Sequence, residues 1–157
     1  MLECFSCLHL QGILEPTIRN KTVKKCIDKL SKFSSEFDSI AVSGFSCALI
    51  SPIVAYELNK SIILIRKSID DCVSGFVSEG IAPKKFIIID DLVDSGKTIE
   101  RIYKGVVEHC RRWRNNTEPQ CVGLYLYDLT HSNISTNSQC LTNFGFPLLN
   151  YYIDDGK

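Results

Sequence analysis

Apolar positions along this chain follow two rhythms, and the switches between them predict its elements. Four short runs are almost continuously apolar: residues 39–43 (Ser-Ile-Ala-Val-Ser), 62–65 (Ile-Ile-Leu-Ile), 86–89 (Phe-Ile-Ile-Ile) and 121–127 (Cys-Val-Gly-Leu-Tyr-Leu-Tyr). Runs of this kind predict strands buried on both faces, as in a parallel sheet. Between them the spacing is helical. Over 17–37, Ile18, Val23, Cys26, Ile27, Leu30 and Phe33 alternate with Lys24, Lys25, Asp28, Lys29 and Lys32, the lysines forming a solvated face. Over 47–59 the helix is apolar nearly all round, with Pro52 expected in its first turn. Over 97–113, Ile99, Ile102, Tyr103, Val106, Val107 and Cys110 mark an inward stripe. The order is strand–helix–strand, a polar excursion at 68–80, then strand–helix–strand. It predicts an α/β fold, a mostly parallel central sheet with helices on both faces. Residues 1–16 are mixed, and 128–147 are rich in Ser, Thr and Asn with weak periodicity.

One junction carries the chemistry. The apolar run 86–89 leads into Asp90-Asp91, then Leu92-Val93-Asp94-Ser95-Gly96-Lys97-Thr98, where a helix begins. Two carboxylates therefore fall at the C-terminal end of a buried strand, where open α/β sheets place ligands. Ser95, Gly96 and Thr98 fall at a helix N-terminus, where unpaired N–H groups and the helix dipole suit a phosphate. Carboxylates for hydroxyls beside a cradle for a phosphate match a ribose 5-phosphate. Two competing readings use the same residues. A nucleotide-binding P-loop, ending in Gly96-Lys97-Thr98, requires glycine at position 91, where this chain has Asp91. A plain polar turn with Asp94 or Ser95 as helix cap accounts for one acidic residue, but not for two side by side before Gly-x-Thr.

The run Phe86 to Ile99 resembles the phosphoribosyl diphosphate (PRPP) motif of type I phosphoribosyltransferases, and it is most similar to the purine-type members. That motif is four apolar residues, two acidic, two apolar, a small or acidic residue, Thr/Ser, Gly, any residue, Thr. The resemblance implies the family fold over 1–157, with a small hood contributed by residues 1–16 and 128–157. It implies transfer of a 5-phosphoribosyl group from PRPP to a nucleobase, with release of pyrophosphate. Asp90 and Asp91 would accept hydrogen bonds from the ribose hydroxyls, since ionised carboxylates are acceptors only. Ser95, Gly96, Lys97 and Thr98 would hold the 5-phosphate. Asp94 matches the position that acts on the base nitrogen in hypoxanthine–guanine members; its alternative role is helix capping.

Further matches concern the leaving group. Ser43-Gly44-Phe45-Ser46 resembles the family's pyrophosphate loop, often built around a cis peptide. Arg66-Lys67 resembles the cationic pair that adenine and orotate members carry at this strand end, or else is a pair of exposed strand-end charges. Mg²⁺ would ride on the diphosphate oxygens rather than in a protein cage. Residues 68–80 lie where the family carries its lid; Ser74-Gly75 and Glu79-Gly80 resemble parts of it. The lysine that orotate members place there is missing between Ser68 and Gly80. The strand 121–127 also lacks the lysine with which hypoxanthine–guanine members read a 6-oxo group. Lys97 and Asp94 favour a purine, and the acceptor base stays open. A second reading keeps the fold and the PRPP cradle but not the catalysis: a PRPP- or nucleotide-binding regulator. The family is commonly dimeric, so a homodimer is admitted.

Composition narrows the rest. With 157 residues the chain suffices for one domain, and its formal net charge of zero makes no general case for nucleic acid. Basic residues do cluster around Trp113, at Arg111, Arg112 and Arg114, where a helix end accounts for them. The apolar stretches are too short to span a membrane, and the N-terminus lacks the pattern of a signal peptide. Cys4, Cys7, Cys26, Cys47, Cys72, Cys110, Cys121 and Cys140 are scattered, so free thiols in a reducing cytoplasm are expected rather than disulfides or a zinc site.

Overall fold

The computed structural model describes residues 12–68, 76–93, 95–114, 116–128 and 149. Their elements are α1 (Pro16–Leu30) with a short 3₁₀ turn (Ser31–Phe33), β1 (Ser39–Val42), α2 (Phe45–Leu58), β2 (Ser61–Ile65), β3 (Ser78–Gly80), β4 (Lys85–Asp90), α3 (Lys97–Trp113) and β5 (Gln120–Leu126). The strands form one sheet in the order β3-β2-β1-β4-β5. β1 runs parallel to β2 and to β4, with Ile40 opposite Ile62 on one side and Ile87 on the other. β5 is parallel to β4, and β3 is the antiparallel edge.

The continuous apolar runs are explained by the layers. In β4, Ile87 and Ile89 pack with α1 and α2, whereas Phe86 and Ile88 pack with α3. β1 divides in the same way, Ile40 and Val42 on one face and Ala41 on the other. A strand between two helical layers has no solvent face, so no polar alternation survives. The α3 stripe is as expected: Ile99, Ile102, Val106 and Cys110 are buried.

Three expectations are corrected. The first helix ends at Leu30, not 37, because the chain tightens into the 3₁₀ turn there. The second begins at Phe45 rather than 47, which puts Pro52 inside it instead of in its first turn. The Glu79-Gly80 end of the polar excursion is β3, whose Ser78 and Gly80 pair with Ile65 and Ile63.

The run of basic residues closing α3 is engaged within the fold. Arg111 pairs with Glu118 at 2.8 Å and Arg112 with Glu108 at 3.0 Å, while Trp113 meets Phe76 edge-on. Cys26, Cys47, Cys110 and Cys121 are free thiols. Among the described residues no helix is long and apolar enough to cross a membrane, and no cluster of side chains is arranged to hold a metal. The sequence expectations for Asp94, Ser74-Gly75, Cys4, Cys7, Cys72 and Cys140, and for the hood at 1–11 and most of 128–157, lie outside the described residues. Within the hood ranges, Ile13 is in the core beside α1, and Leu149 donates its N–H to the Leu124 carbonyl at 2.7 Å.

Candidate functional site

Strand order reverses between β1 and β4. From β1 the chain crosses through α2 to β2 on one side; from β4 it crosses through α3 to β5 on the other. Helices on opposite faces leave a crevice above the C-terminal ends of these two strands, the usual ligand position in open sheets. Ser43 follows β1 directly, and Asp90 is the last residue of β4.

Both helices that open on this crevice begin at a glycine in the left-handed region. Gly44 has φ 84° at the start of α2 and Gly96 has φ 75° at the start of α3. That conformation costs an L side chain energy and costs glycine none. Neither helix start carries a side-chain cap. The expected alternative, Asp94 or Ser95 as N-cap, is replaced by Gly96. First-turn N–H groups are thus left without a side-chain acceptor at both helix starts. The peptide bonds of the Ser43-Gly44 turn are trans, unlike the cis form common in the family's loop.

The two carboxylates are held from across the crevice. Ser46 donates to Asp91 Oδ2 at 2.9 Å, and the Cys47 thiol donates to Asp90 Oδ1 at 3.4 Å. Backbone N–H groups add to this: that of Asp91 to Asp90 Oδ1 at 3.1 Å, that of Leu92 to Asp91 Oδ1 at 2.8 Å. Asp90 is only 3% exposed. Burial, and then the adjacent Asp91, push its pKa up to about 7. Burial, and then the two acids, push up the Cys47 thiol; burial, and then Cys47, push up the Tyr127 phenol, so both stay protonated around the pair.

Asp90, Asp91, Ser95, Gly96 and Thr98 line one cavity of about 230 Å³. Lys97 does not line it. Instead Lys97 lines a second cavity of about 400 Å³ with Arg66, Lys67 and Arg101. Arg66 is bound there to Glu79 at 2.9 Å. Ser43 is buried, and its hydroxyl accepts from Arg101 Nη2 at 3.2 Å. The sequence-picked residues therefore gather around two neighbouring hollows, with Ser43 and Gly44 at the turn after β1. Cys47, Tyr127 and Arg101 were missed by sequence reasoning. A buried Cys or Tyr reads as core, and an Arg on a helix reads as surface. Only the position of Cys47 beside the Ser-Gly turn could have signalled a role.

No protein-family model matches this sequence, and no curated protein matches it. Solved structures do. Orotate phosphoribosyltransferase from Aeropyrum pernix superposes with a TM-score of 0.62 at 10% identity, over 88% of this chain and 72% of that one. Adenine phosphoribosyltransferase from Trypanosoma brucei, solved with AMP, pyrophosphate and ribose-5-phosphate, gives 0.61 at 15% identity, over 87% and 65%. UMP synthase from Leishmania donovani gives 0.59 at 20% identity, over 88% of this chain but 27% of that longer one. The chain is thus shorter than each of these, spanning less than two thirds of the second and third. Sheet order, crevice and superposition together show that the chain has the type I phosphoribosyltransferase fold.

Proposed function

We propose that this protein is a phosphoribosyltransferase that moves a 5-phosphoribosyl group from PRPP to a nucleobase nitrogen and releases pyrophosphate. The observation that supports it best is the pairing of Asp90 and Asp91 with an uncapped helix start in one small cavity. Asp90 and Asp91 accept hydrogen bonds from the two vicinal ribose hydroxyls. The N–H groups at the start of α3, with the Ser95 and Thr98 hydroxyls, take the 5-phosphate. As the bond from the anomeric carbon to the diphosphate oxygen breaks, positive charge grows on that carbon. Fixed carboxylates beneath the ribose favour that charge. The base nitrogen then forms the new bond and gives up its proton, for which Asp94 is the proposed acceptor.

Arg66 and Lys67 are proposed to neutralise the departing diphosphate. Mg²⁺ is proposed as an ion carried in by the ligand, and the two adjacent carboxylates at the crevice suit a hard cation held largely by diphosphate oxygens. When bound, it would supply charge neutralisation on the leaving group. A purine acceptor is favoured by Asp94 and Lys97 in the motif. The superposable structures include orotate and adenine enzymes alike, so the acceptor is an experimental question.

The test is pyrophosphate release from PRPP and Mg²⁺ with adenine, hypoxanthine, guanine, xanthine, uracil or orotate. Release with one base, lost in the Asp90→Asn/Asp91→Asn double variant, is the expected result. PRPP binding without release on any base would instead identify a non-catalytic PRPP-binding protein.

A further inference from the structure

Lys97 and Arg101 are one turn apart on α3, so their side chains share a face. Both line the cavity of about 400 Å³ that Arg66 and Lys67 enter from the end of β2. Part of the charge in and around this cavity is matched. Glu100 is bound to Lys104 at 2.5 Å, Glu108 to Arg112 at 3.0 Å, and Arg66 to Glu79 at 2.9 Å. Arg101 differs. Among the described residues no carboxylate lies within ion-pair distance of its guanidinium. Its one hydrogen bond there goes to Ser43 Oγ at 3.2 Å, and its Nε is buried with no acceptor.

A buried guanidinium N–H without an acceptor is costly, and such groups are uncommon in folded proteins. The cost is offset if an anion supplies the acceptor. Ser43 connects this group to the second helix start: it is buried, it precedes Gly44, and α2 opens immediately after with no side-chain cap. Arg101 therefore spans from α3, whose start is the proposed 5-phosphate cradle, to the turn that starts α2.

We propose that Arg101 is a positioning residue for the diphosphate end of the ligand. Through Ser43 it holds the open start of α2 at a fixed distance from the open start of α3, and it adds an unmatched positive charge beside Arg66 and Lys67. This rests on the phosphoribosyltransferase reading above. It adds to that reading a residue with no place in the motif.

Titration calorimetry with three probes tests it: Mg²⁺–PRPP, Mg²⁺–pyrophosphate and ribose 5-phosphate alone. Arg101→Gln should weaken pyrophosphate and PRPP by tenfold or more and leave ribose 5-phosphate within twofold. Arg101→Lys, which keeps the charge, should recover part of the loss. Ser43→Ala should weaken pyrophosphate by about threefold in the native background and have no added effect beside Arg101→Gln, since coupled residues are not additive. If Arg101→Gln does not fold, Ser43→Ala and Arg101→Lys carry the same comparison. Unchanged pyrophosphate affinity in these variants, or an equal loss of ribose 5-phosphate, overturns the proposal while leaving the enzyme reading intact. A native protein that binds none of the three probes overturns both.

Discussion

α1, α2 and α3 open in two different ways. α1 begins by closing itself: the Glu15 carboxylate accepts from the N–H groups of Thr17 at 3.0 Å and Ile18 at 2.8 Å, and Pro16 stands where an N–H would have gone spare. α2 and α3 begin at Gly44 and Gly96 with no side-chain acceptor. A glycine start without a side-chain acceptor forgoes only a few tenths of a kcal/mol of helix stability, but it leaves the first-turn N–H groups open. The chain forgoes it twice, and both times at the strand ends that flank the crevice. The carboxylates show the same contrast. On the surface Glu108 is paired with Arg112, whereas Asp90 is buried beside a second acid. Stability has been given up where a charged ligand would restore it.

The comparison breaks most sharply if α3 is made to open like α1. Gly96→Asp places a carboxylate over the first-turn N–H groups, where it competes with a phosphate and repels it. Affinity for ribose 5-phosphate should fall by about 100-fold or more, since like charges at contact distance in a partly enclosed site are worth a few kcal/mol. Titration calorimetry reads this; unchanged affinity would mean that the start of α3 holds no phosphate.

Asp90→Asn should separate stability from binding. A buried carboxyl whose pKa rises from 3.8 to about 7 on folding contributes stability that is full below pH 4 and lost as pH rises through 7. The apo protein therefore carries the burden of the ionised group above pH 7. Removing the charge should stabilise it by about 2 kcal/mol at pH 8, and by little at pH 4. PRPP affinity should fall by about tenfold at the least, because a charge-assisted hydrogen bond contributes roughly 1.5–3 kcal/mol. In the native chain the ionised form is the better acceptor, so binding should tighten by about tenfold between pH 6 and pH 8. Thermal melts at the two pH values and a pH series of titrations check these signs. A variant less stable than the native chain at pH 8 would refute the buried-charge account.

The smallest effect belongs to the closed helix. Glu15→Ala should cost about 1 kcal/mol, a drop of a few degrees in Tm, and leave PRPP affinity unchanged. A loss of affinity there would show that α1 serves the site after all.

Much of the fold was legible in the sequence. The apolar runs marked β1, β2, β4 and β5, and the α3 stripe marked its span of 97–113. Both signals are local periodicities imposed by burial. The Asp90-Asp91 pair and the Gly96 turn were legible for another reason: strand end, acids, turn and helix start follow one another in the chain, so one contiguous stretch carries most of the candidate site. Boundaries set by competing turns were less legible. The end of α1 depended on a 3₁₀ closure, and the start of α2 on the backbone of Gly44 rather than on any apolar pattern.

By itself, then, the sequence determined the α/β layering, the place of the carboxylates at a strand end, and the Ser-Gly-x-Thr turn where α3 begins, because each is encoded by neighbours a few residues apart. Tertiary structure alone decided which groups meet across the crevice. Ser46 reaches Asp91 and Cys47 reaches Asp90 because β1 lies beside β4 in the sheet. Arg101 reaches Ser43 because α3 packs on the sheet face that Ala41 of β1 shares. Lys97, adjacent in sequence to the proposed phosphate residues, turns instead to the cavity of Arg66 and Lys67. Contacts of this kind are long-range consequences of strand order, and no local pattern of residues records the order in which strands pair.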